Sequence, residues 1–365
     1  MLYLRIRRSI CCATRRPQTC NGDGIGPLYP TPLFAGAGFA RAGKEEASSM
    51  YCFQSDGIDR RVASPSWHSL SLLLVACATP AGAQSSPAAS SLETRITEAA
   101  QTLGQDRRFA EIAPPGNLGL VEFVGGNVLF ALAHEMGHVA MTELGLTVLG
   151  REEDAADGFA TLLGLKMGNA FALGVLENTA AGWFLSDQRN RSNGIHLAFF
   201  DQHGLDQQRA YNIVCLMVGS DIEKFRSLAN RVGMPEARQQ SCAGDYSNAS
   251  WSWNKALEPH RRGPETPQTK INIIYEPGGP NAELEAVFRH LRMLESVADY
   301  ASSQFAWRAE LSLEMQTCGS PDAGWYPEIR KVIVCYELAA DFAQLYLEYG
   351  DKQRPPPPFA WKRLN

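Results

Sequence analysis

Apolar residues recur at helical spacing along much of the chain, and the clearest run is long and strongly apolar. It covers residues 127–144, includes the stretch VLFALAHEMGHVAMTEL, and is followed by Gly145, a residue type that commonly ends helices. A second helix is predicted at 151–167, because three acidic residues would lie in its first turn, where the helix dipole favours negative charge. Two successive helices therefore form the best-defined part of the sequence.

Weaker patterns predict the other elements. The predicted helices are at 93–110, 170–186, 204–232, 282–307 and 337–349, and the predicted strands are at 119–124, Ile271–Tyr275 and, as a pair, within 311–334. Helices dominate this series, so the expected fold class is α+β, mainly α, with a small β component.

The first 83 residues differ in character from the rest. Residues 1–60 show no periodicity, and the pattern of a secretory signal follows them, with a short buried segment as the alternative for its apolar run. Its three parts are the basic pair Arg60-Arg61, the apolar run 69–78 and the small-residue site 81–83. We therefore predict an over-extended N-terminus, a signal at about residues 60–83 and an exported protein.

One residue of this signal allows a second outcome. The sequence Leu-Val-Ala-Cys at 74–77 has the form of a lipobox, so Cys77 is a candidate for acylation. Cleavage after Ala83 predicts a periplasmic or secreted protein. Acylation at Cys77 predicts an outer-membrane lipoprotein, which would contact the membrane through its lipid alone.

Charge and cysteine content add two expectations. The net charge is -5, and no basic block follows residue 61, which argues against nucleic-acid binding. Four cysteines follow the predicted signal, and an even number in an exported protein favours two disulfides. Three pairings are possible. We predict nearest-neighbour pairing, which joins Cys215 to Cys242 and Cys318 to Cys335.

The apolar helix carries His134-Glu135-Met136-Gly137-His138, an H-E-x-x-H motif. Residues four apart share one face of a helix, so both imidazoles can reach one metal ion. Glu135 would lie beside the open coordination position and act as the general base. The motif predicts one Zn²⁺ per chain with His134 and His138 as ligands.

A third protein ligand is required, and the pattern E-x-x-x-D in the second helix supplies it. Glu153 is the predicted ligand, and Asp157, on the same face, would accept a hydrogen bond from a ligand histidine. Glu152 and Asp154 are the neighbouring alternatives. The motif HExxHxxGxxH is excluded, because its glycine and last histidine positions hold other residues.

A polar cluster at 201–209 offers a candidate donor for the oxyanion that develops during peptide hydrolysis. His203 or Arg209 would donate, and Asp206 would orient one of them. The alternative is a structural cluster that anchors a helix N-terminus, with Asp201 as its cap.

Four segments resemble a family of bacterial metallopeptidases known as domain of unknown function 4344. They are FALAHEMGHVAMTELGLTVLGREEDAADGFATLL, DQHGLDQQRAYNIVCLMVGSD, SCAGDYSNASWSW and CGSPDAGWYPEIRKVIVCYEL. The resemblance covers roughly residues 93–345 and implies a gluzincin-like, zincin-type fold, without a known substrate. We divide the chain into a peptidase core at 84–263, its C-terminal part at 264–349 and a Pro-rich tail at 350–365.

The expected function is hydrolysis of peptide bonds by an exported zinc enzyme, with a peptide or protein as substrate. The alternative is a non-catalytic envelope protein that keeps a metal site.

Overall fold

A computed structural model describes residues 91–109 and 116–350 of the chain. The predicted signal, the candidate lipidation residue Cys77 and residues 351–365 of the predicted tail lie outside the described residues. The helices are α1 (Leu92–Leu103), α2 (Gly116–Glu143), α3 (Glu152–Met167), α4 (Ala170–Ser192), α5 (Asp206–Ser220), α6 (Ile222–Arg231), α7 (Glu236–Leu257), α8 (Ala282–Leu291), α9 (Met293–Gln304) and α10 (Tyr336–Leu345).

Four strands form one mixed sheet in the order β1-β2-β4-β3. The strands are β1 (Ile271–Tyr275), β2 (Leu311–Gln316), β3 (Ala323–Tyr326) and β4 (Lys331–Cys335). β2 is parallel to both β1 and β4, and β3 is antiparallel to β4. α8 and α9 supply the crossover that the parallel pair β1–β2 requires. The described residues therefore form a mainly helical α+β fold, as predicted.

α2 is the central helix of the fold. It packs against α1, α3, α4 and α10, and its side chains are mostly buried. The stretch Leu118–Glu143 is long and apolar enough to cross a membrane, but 72% of its apolar window is buried inside the protein. A core helix explains this apolar run, since the surrounding helices already cover it.

The predicted strand at 119–124 is wrong, because these residues form the first part of α2. Its glycines lie at close contacts between helices. A Cβ atom at Gly119 would lie 2.6 Å from the Tyr346 hydroxyl, and one at Gly126 would lie 3.0 Å from the Asn178 side chain. These glycines let neighbouring side chains approach the helix. In the sequence they resemble the turn signals that bound a strand.

Several other helical segments differ from the prediction. The helix predicted at 93–110 ends at Leu103, and the one predicted at 204–232 is divided at Asp221 into α5 and α6, because Asp221 is extended and caps α6. The helix predicted at 282–307 is divided at Arg292, whose φ of 52° is left-handed, and its second part ends at Gln304. α7 lies in a polar segment for which no element was predicted. Its apolar face is weak, and its link to α5 through Cys242 supplies a constraint that periodicity does not contain.

The predicted disulfides are both present. Cys215 of α5 is bonded to Cys242 of α7, and Cys318, after β2, is bonded to Cys335 at the end of β4. The first bond joins two helices of the helical part. The second holds the segment after β2 beside the start of α10.

The sheet is connected to α2 at two places. Both carboxylate oxygens of Glu143 accept hydrogen bonds from Arg330 Nη1 at 2.6 Å, which links the end of α2 to the turn before β4. β4 then leads directly into α10, which packs on α2 and α4. The sheet thus places Leu338 and Phe342 of α10 beside the glutamate of the HExxH motif.

Candidate metal centre

The two histidines of the motif lie one turn apart on α2 and point to the same place. Their Nε2 atoms are 3.2 Å apart, and the two residues are only 2% and 5% exposed. A helix rises about 1.5 Å per residue and completes a turn in about 3.6 residues, so positions 134 and 138 share a face. Local sequence alone therefore produces this half of the site.

Glu153 completes the cluster from α3. Its Oε2 atom is 3.1 Å from Nε2 of His134 and 3.3 Å from Nε2 of His138. These three residues form a buried group whose candidate ligand atoms all lie within 4.8 Å of one another. The third predicted ligand is therefore placed next to the other two.

The approach of α3 to α2 depends on small residues at their contact. A Cβ atom at Gly137 would lie 3.1 Å from the Cα atom of Ala156. Because backbone lies there, an added methyl group would push the two helices apart. Gly137 thus sets the distance between the histidines and Glu153, a role that the HExxH pattern does not reveal.

A chain of hydrogen bonds orients His134. Its Nδ1 atom lies 2.8 Å from Oδ1 of Asp157, and Asp157 accepts two hydrogen bonds of 2.7 Å from Arg209. The Arg209 guanidinium lies 3.8 Å from the ring centroid of Trp183. Asp157 thus contacts a motif histidine, as predicted. Arg209 donates to Asp157 and is itself held between Asp157 and Trp183.

Glu152 has the matching position beside the other histidine. Its Oε1 atom lies 2.8 Å from Nδ1 of His138. Asp154, the other alternative ligand, lies 3.9 Å from Arg151 instead and is partly exposed. Each motif histidine therefore directs Nδ1 to a carboxylate, which leaves Nε2 available inside the cluster.

The charges of the cluster favour a cation at its centre. Burial lowers the pKa of His134, but hydrogen bonds with Asp157 and Glu153 outweigh burial and raise this pKa to about 9. Burial raises the pKa of Glu153, but hydrogen bonds with the surrounding histidines, His134 first, hold it well below its usual range. The carboxylates around His134 thus favour a positive charge at this place. A bound metal ion can supply that positive charge instead of a proton.

His203 contacts the cluster through Glu153. Its Nε2 atom lies 2.8 Å from Glu153 Oε2, and the ring of His203 stacks near that of His134. Asp201 orients it, since Asp201 Oδ1 accepts from the His203 backbone N–H at 2.9 Å and lies 3.4 Å from Nδ1. Arg151 donates to the carbonyls of Asp201 and His203, which ties this loop to the start of α3.

The structure places Asp206 away from its predicted partners. Its Oδ2 atom accepts hydrogen bonds from Ser186 Oγ at 2.8 Å and Asn190 Nδ2 at 2.9 Å, both on α4. Among the described residues it forms no hydrogen bond with His203 or Arg209. Asp201 also does not cap α5, whose N-cap position is Leu205. The sequence thus identified the polar segment 201–209 but not which of its residues form hydrogen bonds with one another.

Glu135 lies beside the cluster and is 4% exposed. Together with His134 it lines a cavity of about 20 Å³, enough for about one water molecule. Trp183 and Arg209 form another part of the wall, and Phe342 comes from α10. The predicted base is thus held in a nearly dry position next to the two histidines.

The distances within the cluster fit a tetrahedral zinc site. Ligand atoms about 2.0–2.2 Å from a tetrahedral zinc ion are separated from one another by roughly 3.3–3.6 Å. The three distances among His134 Nε2, His138 Nε2 and Glu153 Oε2 are 3.1, 3.2 and 3.3 Å. The three side chains therefore leave room for an ion that each of them can reach.

A second group of potential ligands is explained without a metal. Cys318 and Cys335 lie near Glu337, but the two sulfur atoms form a disulfide. The Glu337 carboxylate accepts hydrogen bonds from the backbone N–H groups of Cys318 and Gly319 at 3.0 and 2.9 Å. Thiolates are needed for metal binding, and a disulfide provides none.

Comparison with known proteins agrees with this site. Searches of curated proteins and of solved structures give no match. A family model described as "Putative metallopeptidase" matches residues 97–257 and 279–360, which include the cluster on α2 and α3, the loop of His203 and both disulfides. This match covers more than half of the chain. The chain therefore belongs to this metallopeptidase family, domain of unknown function 4344.

Proposed function

We propose that this protein is an exported zinc metallopeptidase that hydrolyses peptide bonds through a zinc-activated water. The observation that carries the proposal is the convergence of His134, His138 and Glu153 at tetrahedral spacing, with Glu135 buried beside them. Three ligands rather than four are typical of catalytic zinc sites, because the remaining position is left for water or substrate.

A zinc ion held by these three side chains would act as a Lewis acid toward the attacking water and the scissile carbonyl. Glu135 would take the proton from the attacking water and transfer it to the leaving amine. His203 would donate from Nε2 to the oxyanion that develops on the carbonyl. For this it would exchange its contact with Glu153 Oε2, 2.8 Å away, for the substrate oxygen.

The substrate would enter from the side of the His203 loop. The His203 side chain, which contacts Glu153 and is 12% exposed, connects the buried cluster to this loop. The same loop carries Phe199 and Phe200, which are 78% and 85% exposed. Exposed aromatic residues beside an opening are suited to contact apolar side chains of a peptide.

Export is part of the proposal. Cys215–Cys242 and Cys318–Cys335 are both disulfides in the structure, and such bonds persist in oxidising compartments. We expect the mature chain to begin after Ala83, or at Cys77 if that residue is acylated. Intact-mass analysis of the exported protein would distinguish the two, and retention of residues 1–60 would contradict both.

The second candidate is a non-catalytic envelope protein that binds metal for folding or recognition. A substitution of Glu135 distinguishes the two functions, because a purely structural metal site does not require a general base. The test measures zinc content and cleavage of a peptide library by the parent and by Glu135→Gln. We expect equal zinc content, and turnover about 10²–10⁴-fold lower in the variant.

Glu177→Gln is the matched control, since Glu177 is also a buried glutamate but lies on α4, outside the cluster. It should cleave like the parent. Peptide cleavage by Glu135→Gln at the parental rate would rule out the HExxH mechanism. Zinc binding without any cleavage by the parent would favour the non-catalytic function.

A further inference from the structure

A second cavity lies on the other side of α2 and α3. It has a volume of about 130 Å³ and is enclosed by α2, α3, α4, α9 and the segment after α9. Its walls are almost entirely apolar and include Met136, Leu163 and Val297. Met167 and Phe171, which are 50% and 39% exposed, form an apolar rim at the surface. An apolar space of this size stays dry and accepts apolar ligands.

This apolar cavity adjoins a more polar one of about 250 Å³. Phe159, Leu163, Tyr300 and Phe305 line both, so they form the boundary between the two spaces. The far wall of the polar cavity carries the side chains of Lys166 and Arg261. The two spaces are thus adjacent, and together they extend from an apolar interior to a pair of cations.

Neither cation is neutralised by a carboxylate. The described residues that line the polar cavity beside Lys166 and Arg261 include no Asp or Glu. Arg261 donates to Gln304 Oε1 at 3.1 Å and lies 5.1 Å from the ring centroid of Phe305. Partial burial first, and the charge of Arg261 second, lower the pKa of Lys166, which is itself exposed. Both cations line the polar cavity, so an anion in this cavity would face two positive charges.

We propose that these joined cavities bind a single-chain fatty carboxylate. The alkyl tail would occupy the apolar cavity, and the carboxylate would lie between Lys166 and Arg261. Each buried methylene stabilises such a complex through the hydrophobic effect, and carboxylates form strong charge-assisted hydrogen bonds with guanidinium and ammonium groups.

This site is separate from the metal centre and does not depend on the proposed peptidase activity. Ala133 and Met136 line the apolar cavity, whereas His134 and His138 direct their rings to the other side of α2. Phe130 lines both the apolar cavity and the small cavity beside Glu135, so its side chain stands between the two spaces. Ligand binding is tested by itself, with no reference to cleavage.

The test is isothermal titration calorimetry of the purified protein with alkyl carboxylates below their micelle concentrations. Decanoate should bind at one site, and affinity should rise about fourfold for each methylene between hexanoate and octanoate. Decyltrimethylammonium, with the same tail and a cationic head, should bind at least about tenfold more weakly. This comparison needs no variant and tests the role of the head group directly.

Two variants test the two ends of the site. Lys166→Glu should weaken decanoate binding about tenfold, and Ala301→Leu, which fills the apolar cavity from α9, should weaken it further. Lys224→Glu on α6, which lines neither cavity, is the matched charge control and should bind like the parent. The proposal is overturned if decanoate shows no saturable binding, if it binds no more tightly than decyltrimethylammonium, or if Ala301→Leu leaves its affinity unchanged.

Discussion

The two faces of α2 bury different kinds of side chain. One face buries His134, Glu135 and His138 among further ionisable groups from α3 and α5. The other face presents Ala133 and Met136 to a cavity with almost no polar atom in its wall. The same helix thus carries a charged centre on one side and an apolar space on the other.

The difference shows where buried charge is tolerated. Burying an ionised group costs several kcal/mol unless protein partners replace its hydrogen bonds with water. For a neutral polar group without partners, the corresponding cost is about 1–3 kcal/mol. On the charged face these partners are present: Asp157 bonds both His134 and Arg209, and Glu152 bonds His138. The opposite face needs no such partners, and packing alone determines its shape.

The strongest test of the charged face removes its third ligand. Glu153→Ala should reduce zinc from about one ion per chain to almost none and abolish cleavage, because two imidazoles alone hold the metal poorly. Glu152→Ala, one residue earlier, should keep close to one zinc ion per chain, since Glu152 contacts Nδ1 of His138 and not the Nε2 atom that faces the cluster. Zinc content by atomic absorption checks both. Full zinc content in Glu153→Ala would move the third ligand to another residue.

A smaller effect is expected from the residue that orients His134. Asp157→Asn keeps the shape of the side chain but loses the charge that faces Arg209. We expect zinc affinity to fall about 10- to 100-fold, as for other residues that hold a metal ligand in place. Competition with a zinc chelator measures it. An unchanged affinity would mean that Asp157 serves only the structure around Arg209.

The contact between α2 and α3 provides a third test. Gly137→Ala should weaken zinc binding, because its methyl group would overpack against Ala156. Overpacking should lower the free energy of unfolding by about 1–3 kcal/mol. The higher helix propensity of alanine should offset about 1 kcal/mol of this loss. Gly174→Ala, also within a helix, has open space around its Cβ position and should raise the melting temperature. If both variants behave alike, close packing at Gly137 does not set the site.

The smallest effect is expected on the apolar face. Ala301→Leu should leave zinc content and peptide cleavage unchanged, because Ala301 lines the apolar cavity and contacts no residue of the cluster. Its melting temperature should stay level or rise, since the added carbon atoms fill empty space. A loss of zinc in this variant would show that the two faces are coupled through α2.

The sequence predicted which residues come together in this cluster, because the geometry within each helix is local. His134 and His138 are related by one helical turn, and Glu153 and Asp157 by another, so periodicity alone orients each pair. Joining the pairs required α2 and α3 to pack together at Gly137 and Ala156, which a short connection between two helices favours.

Contacts between distant segments could not be predicted in this way. Asp201 orients His203 and Asp206 bonds α4, yet in the sequence both are acidic residues of one polar loop. The strand predicted at 119–124 failed for a related reason, since Gly119 and the following Gly126 serve contacts with Tyr346 and Asn178 that are remote in sequence. Tertiary packing determined these features.

The central claim is that one zinc ion is bound between α2 and α3. Anomalous diffraction from crystals of the zinc-loaded protein, recorded on both sides of the zinc absorption edge, tests it most directly. We predict one strong peak about 2.0–2.2 Å from His134 Nε2, His138 Nε2 and a carboxylate oxygen of Glu153. The absence of a peak there, or a peak at ligands that exclude Glu153, would contradict this assignment.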